Sequence, residues 1–273
     1  MQHPVVLRNL QDLGSGPDRR VDIALQGPNA RDILLACAAA APGTTDAGLS
    51  ARLKQMRRTD FVETRLNGID LLVARTGYTG EEMGFELYVH PERAVALWQM
   101  LLAHGEAHGI KPCGLAARDS TRIEAGLPLY GHELGGPLSI TPTEAGFAPY
   151  VKYHKPFFVG RTCYKAYNDK TKRQVIRFQV SEKGARAIRG AEHSEPVVNK
   201  RGRVIGQVTS CTLIGDYQIG MALVDSRYTE PGTELSIYPE THKAVAKIPQ
   251  AFELGDTVPL AVDAVVLGRF PGK

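Results

Sequence analysis

The chain has 273 residues, 43% of them hydrophobic and 23% charged, with a formal net charge of +4. That composition excludes a disordered or fibrous protein. So small a positive charge, with no aromatic residues interleaved among Lys and Arg, gives no argument for nucleic acid.

The length allows a substantial core, in two domains or in one with a large appendage. "VDIALQGP" (residues 21–28) reads as a strand ending in a tight break, and Pro28 suits the first turn of the helix "PNARDILLACAAA". Leu34, Leu35 and Ala38 give that helix an apolar face. After a polar loop, "ARLKQM" is a short amphipathic helix. The β-rich runs "FVETRL" and "IDLLVAR" flank Asn67-Gly68, a strong hairpin signal. The stretch "RTGYTGEEMGFELYV" (residues 75–89) then sets Gly77, Gly80 and Gly84 around Tyr78, Glu81, Glu82 and Glu86, and ends as a strand. Glycines so spaced imply a sharp bend or close approach to the backbone, as around a flat polar ligand. "PERAVALWQMLLAHGEAHG" (91–109) predicts a long helix with Val95, Leu97, Trp98, Leu101 and Leu102 on its apolar side. "GLAARDSTRIEAG" (114–126) predicts a shorter one closed by glycine.

Residues 135–160 are rich in Pro and Gly and read as irregular. From Arg173 the short runs "RQVIRFQV", "SEPVVN", "RVIGQVTSC", "QIGMALV", "ELSIYP" and "AVAKI" alternate with turns, the pattern of a small β-barrel or jelly roll. The expected fold is α+β. Residues 1–150 form an antiparallel sheet with packed helices, 151–172 a linker, and 173–273 a C-terminal barrel with a tail.

Cys37, Cys113, Cys163 and Cys211 form no Cys-x-x-Cys pair and have no His at zinc spacing, so no metal site is expected. They read as small buried hydrophobes in a reducing compartment. The longest apolar run, "ILLACAAAA", is too short to span a bilayer, and the first twenty residues lack a signal core. The expected location is cytoplasmic, away from membranes. No hydrolase, zinc-protease or P-loop motif is present, and His154 and His193 read as loop residues. On the helix at 114–126, Arg118 and Arg122 lie one turn apart and Asp119 is placed to pair with Arg122. Spacing alone favours a solvated face with local salt bridges, although Ala116, Ala117 and Ala125 keep the helix slim enough to pack closely.

Together "ALQGPNARDIL", "RTGYTGEEMGFELY", "GLAARDSTRIEAGLPLYGHEL", "TPTEAG", "FFVGR", "GRVIGQVTSC" and "IGMALV" resemble, in order, the aminomethyltransferase family, the T-protein of the glycine cleavage system. The resemblance implies a tetrahydrofolate pocket in which Glu86 accepts the paired N–H donors of the pterin edge, with Tyr78 beside the ring. It also implies Arg118 and Arg189 as folate-site arginines, supported by Arg122, Glu124 and Tyr130. The implied reaction takes an aminomethyl group from the lipoyl arm of the H-protein carrier to tetrahydrofolate, releasing ammonia. The same pocket would suit a folate-dependent O- or S-demethylase, or a non-catalytic folate-binding module. The iron–sulfur assembly relatives fit less well, because "HKPFFVGR" stands where they carry Lys-Gly-Cys.

Three departures accompany the resemblance. The family's N-terminal portion, with its catalytic aspartate, has no counterpart before "VDIALQGP", and Asp60, Asp70 and Asp119 match other places. The catalytic residue is thus unassigned, and the expected alternatives are a separate polypeptide that supplies that portion, a shortened version of a longer protein, or a dimer in which each copy patches the other. Cys211 stands where the family has glycine. The family's C-terminal tyrosine is not evident after "KIPQAF", where an extra tail follows.

Overall fold

The computed structural model describes residues 6–184, 195–239, 252–259 and 262–271. Packing divides the chain into two compact units, Met1–Gly114 and Leu115–Lys273.

The first unit is a four-stranded antiparallel sheet with helices on one face. Its elements are β1 (Val21–Gln26), α1 (Ala30–Ala40), α2 (Leu49–Gln55), β2 (Phe61–Leu66), β3 (Ile69–Ala74), β4 (Gly84–Val89) and α3 (Pro91–Gly105). The strand order is β1-β4-β3-β2. Asn67 and Gly68 both take positive φ (49° and 71°), as the two-residue hairpin turn between β2 and β3 requires. Period-2 alternation sends Leu25, Leu66, Leu71, Val73, Phe85 and Leu87 into a core with Ile33 and Leu34 of α1, Leu53 of α2 and Leu97 of α3. The opposite face carries Asp22, Glu63, Leu72, Glu86 and Tyr88. The arm around Arg8–Arg20 borders that face and helps to line a groove of about 1070 Å³.

Three local expectations are corrected here. Pro28 lies ahead of α1, whose N-cap is Asn29. In α3 the buried positions are Leu97, Leu101 and Gly105, whereas Val95 and Trp98 are exposed. The helix also ends four residues early, in a single 3-10 turn closed by Gly109 at φ 73°.

The second unit begins with α4 (Leu115–Glu124), runs through irregular chain to α5 (Arg161–Asn168), and continues as β5 (Arg173–Val180), β6 (Pro196–Val198), β7 (Val204–Ile214), β8 (Tyr217–Asp225), β9 (Glu234–Ile237) and β10 (Val262–Leu267). These six strands close a barrel in the order β10-β5-β8-β7-β6-β9. Phe178, Val197, Val208, Ala222, Ile237 and Val266 fill its interior. The division at Gly114 precedes the compositional change at Arg173 because Ile123, Ile140 and Ala145 share one core with Val175, Met221 and Leu223 of the barrel.

The sequence predicts an extra tail over 253–273 and an irregular linker over 151–172. Instead β10 pairs with both β5 and β9 and closes the barrel. The helix α5 is only eight residues long and follows a left-handed Gly160, so its periodic signal was too short to read. The strand expected at "AVAKI" lies outside the described residues. Among the described residues no helix is long and apolar enough to cross a membrane.

Candidate functional site

The glycine loop between β3 and β4 is built around a residue that the sequence reading passed over, Gln26. Its Nε2 donates to Thr76 O and Phe85 O, both at 3.2 Å, and Thr79 Oγ1 donates to its Oε1 at 3.2 Å. A Cβ at Gly77 would lie 1.8 Å from Gln26 Oε1, and one at Gly84 2.3 Å. These two glycines therefore make room for the Gln26 amide, and only Gly80 bends the loop with a left-handed φ (88°). Gly77→Ala is expected to expel Gln26 and cost about 1–3 kcal/mol in lost hydrogen bonds. Adding Gln26→Ala should then cost little more. A double-mutant cycle in urea checks this, and additive costs would show that the two positions are not coupled.

The loop delivers the chain into β4, where Glu86 and Tyr88 stand two residues apart on the face opposite the helices. Both are half-buried, and Tyr88 Oη donates to Glu86 Oε2 at 3.3 Å. Burial raises the Tyr88 pKa, and the Glu86 and Asp22 carboxylates raise it further, so the hydroxyl keeps its proton and stays a donor. Asp22 is its cross-strand neighbour on β1. Tyr78 is half-buried in the glycine loop. A carboxylate held in one orientation beside an open groove can accept parallel N–H donors from a planar ligand.

Arg118, Arg122, Glu124 and Tyr130 belong to the second unit. Arg118 and Glu124 are exposed on α4, and Tyr130 is 83% exposed. Glu124 attracts the buried Arg177 of β5. Arg122 is different: it is 1% exposed, which overturns the solvated-face reading of the helix. Its guanidinium donates to Asp119 Oδ1 at 2.6 Å, to the fully buried Glu133 Oε2 at 2.6 Å and to Ser210 Oγ on β7 at 2.9 Å. Ser210 Oγ donates to the other Glu133 oxygen, and Leu129 N donates to Oε2 at 3.1 Å. The predicted Asp119–Arg122 pair is thus one edge of a clamp that fixes α4 and the 127–133 turn to the barrel. Arg189 lies outside the described residues.

The cysteines divide rather than all being buried. Cys37 is buried and Cys211 half-buried, but Cys113 and Cys163 are exposed. Burial pushes the Cys211 thiol up to about 12, helped by the Glu195 carboxylate, so it remains a thiol.

Residues 9–155 match the GCVT N-terminal domain, and residues 173–251 match the glycine cleavage T-protein C-terminal barrel domain. Proteins named aminomethyltransferase are similar over most of this chain. That of Caldanaerobacter subterraneus is 40% identical over 225 residues, covering 81% of this chain and 54% of its own length. That of Streptomyces coelicolor is 38% identical over 244 residues, covering 84% and 60%. The crystal structure of glycine cleavage system aminomethyltransferase T from Bartonella henselae superposes with a TM-score of 0.67 at 26% identity, covering 92% of this chain and 59% of that one. This chain therefore spans little more than half the length of the relatives it matches. Two family domains in order, over residues 9–155 and 173–251, show that the chain belongs to the glycine cleavage T-protein family.

Proposed function

We propose that the chain works in tetrahydrofolate-dependent aminomethyl transfer, with the half-buried Glu86 carboxylate as the anchor for the pterin. The observation that carries this reading is the Tyr88 hydroxyl bonded to Glu86 Oε2 at 3.3 Å, which fixes the carboxylate on the open sheet face. Glu86 accepts adjacent pterin N–H donors, Tyr78 packs beside the ring, and Tyr88 orients Glu86. Tetrahydrofolate supplies the nitrogen that accepts the one-carbon unit, and the protein's part is to hold it in position. The donor in this reading is the aminomethyl-lipoyl arm of an H-protein carrier, and ammonia leaves.

Calorimetric titration of the full chain with tetrahydrofolate tests the assignment. Glu86→Ala should weaken binding by at least about tenfold, because charge-assisted hydrogen bonds contribute about 1.5–3 kcal/mol each. Tyr88→Phe should weaken it less, about three- to tenfold, by releasing the carboxylate rotamer. Equal affinity in wild type and Glu86→Ala removes Glu86 from the role. Transfer that proceeds without a lipoylated carrier, from a methoxy or methylsulfonio donor, would replace the aminomethyl reading with demethylation.

A further inference from the structure

Three arginines, from the start of α1, the α2–β2 loop and the end of β3, lie near one end of the first-unit sheet. Arg31 lies in the first turn of α1, Arg58 in the α2–β2 loop, and Arg75 follows β3. Backbone bonds set them there: Arg75 N donates to Asp60 O at 2.8 Å and Thr59 N to Arg75 O at 2.9 Å, placing the Arg58 segment alongside Arg75. Gly27 N donates to Met83 O at 2.9 Å and Arg75 Nη1 to Glu82 O at 2.9 Å, so the α1 entry and the Arg75 guanidinium share one stretch of chain.

None of the three makes an ion pair among the described residues; Arg75 is buried, Arg31 half-buried and Arg58 exposed. Arg75 is 8% exposed, sits 5.8 Å over the Phe85 ring, and keeps a buried Nε–H with no acceptor. The Arg31 Nε–H is likewise buried and unbonded. Burial lowers the Arg75 pKa, and repulsion by Arg31 and Arg58 lowers it further, against a weaker attraction from Glu82. The adjoining start of α1 is also uncapped. Asn29 makes no capping bond and instead donates its amide to His108 O at 2.9 Å. Ala30 N donates to Gly27 O at 3.0 Å, Asp32 is the one acidic residue of that first turn, and the N-cap side chain accepts from none of its N–H groups, at the positive end of an 11-residue helix.

We propose that Arg31, Arg58 and Arg75, at the uncapped N-terminus of α1, form a binding site for a compact oxyanion, a phosphate or carboxylate group. Guanidinium forks and free helix N–H groups are matched to such an anion, and its charge relieves the mutual repulsion of the arginines. The site is independent of the Glu86 assignment, because Arg75 faces the helices while Glu86 faces the open side of the sheet.

The test titrates inorganic phosphate into the full chain at constant ionic strength, read by calorimetry and by thermal unfolding. Wild type should bind saturably and unfold at higher temperature with phosphate. Arg31→Gln and Arg58→Gln, which remove no observed hydrogen bond, should each weaken binding by about tenfold. Without phosphate both variants should unfold at or above the wild-type temperature, since a repulsion is gone. Non-saturable uptake, or equal binding by wild type and both variants, would identify an adventitious ion only and overturn the site. Competition with tetrahydrofolate then separates two sources of the anion. Displacement of phosphate assigns the site to the carboxylates of the folate, and simultaneous binding assigns it to a free oxyanion. Glu86→Ala should leave the phosphate titration unchanged whatever its effect on tetrahydrofolate.

Discussion

Replacing Arg122 with alanine should lower the unfolding free energy by about 3–5 kcal/mol, the range expected when one partner of a buried ion pair is removed. The cost arises less from lost attraction than from what stays behind. Glu133 is fully buried and would keep only Ser210 and the Leu129 N–H as partners. Its negative charge would then lie in the joint between the 127–133 turn and the barrel without a counter-charge. Urea titration followed by circular dichroism reads the change as a lower midpoint at similar slope. Arg122→Met combined with Glu133→Leu should recover much of the loss, because removing both charges removes the desolvation cost as well. Arg118→Ala, one helical turn away but exposed, should change stability by less than about 0.5 kcal/mol. If Arg122→Ala were as mild as Arg118→Ala, the clamp would not be holding α4.

A second large effect is expected at Glu144, the glutamate of "TPTEAG". Its side chain is fully buried and accepts from Thr141 N (2.8 Å), Thr141 Oγ1 (3.0 Å), Thr171 Oγ1 (2.7 Å) and Arg173 Nε (3.0 Å). Its carbonyl accepts from Val175 N at 2.8 Å, so the same residue docks the turn onto β5. Glu144→Ala should cost about 3 kcal/mol or more by leaving these donors unpaired. Burial by itself pushes the Glu144 pKa up. The Thr141 N–H, the Thr171 hydroxyl and the Arg173 charge outweigh it and hold the pKa below the ordinary 4.5. A carboxylate whose folded pKa is depressed binds its proton more weakly folded than unfolded. Its contribution is therefore complete above about pH 4.5 and is lost as pH falls through the lowered value. Glu144→Gln should flatten this acid slope while remaining less stable at neutral pH. A slope unchanged by Glu144→Gln would assign the acid sensitivity to other carboxylates.

What was readable beforehand was whatever a short window of chain decides alone. Alternating residues in β3 and β4, Asn67-Gly68, and the 3.6-residue stripe of α1 placed the first sheet and its helices with few errors. The i,i+3 spacing also anticipated the Asp119–Arg122 pair. Motif order alone pointed to the family that the domain matches show.

Contacts across the chain were not readable. Gln26 lies 50 residues from Thr76, and Ser210 lies 88 from Arg122. Nothing in either local window marks Gln26 as the reason for two glycines, or Arg122 as a buried clamp rather than a solvated charge. The strand β10 likewise read as a tail, because a barrel edge needs its closing partner only once the other five strands are in place. The sequence by itself determined most of the elements, their order and the family, since turn chemistry and side-chain periodicity act between near neighbours. Tertiary structure alone decided which of two arginines on one helix is buried, which glycines bend and which make room, and how the barrel closes. Each of those depends on the burial of a polar group or an edge by residues distant in sequence, and desolvation is a property of the folded surroundings rather than of the residue.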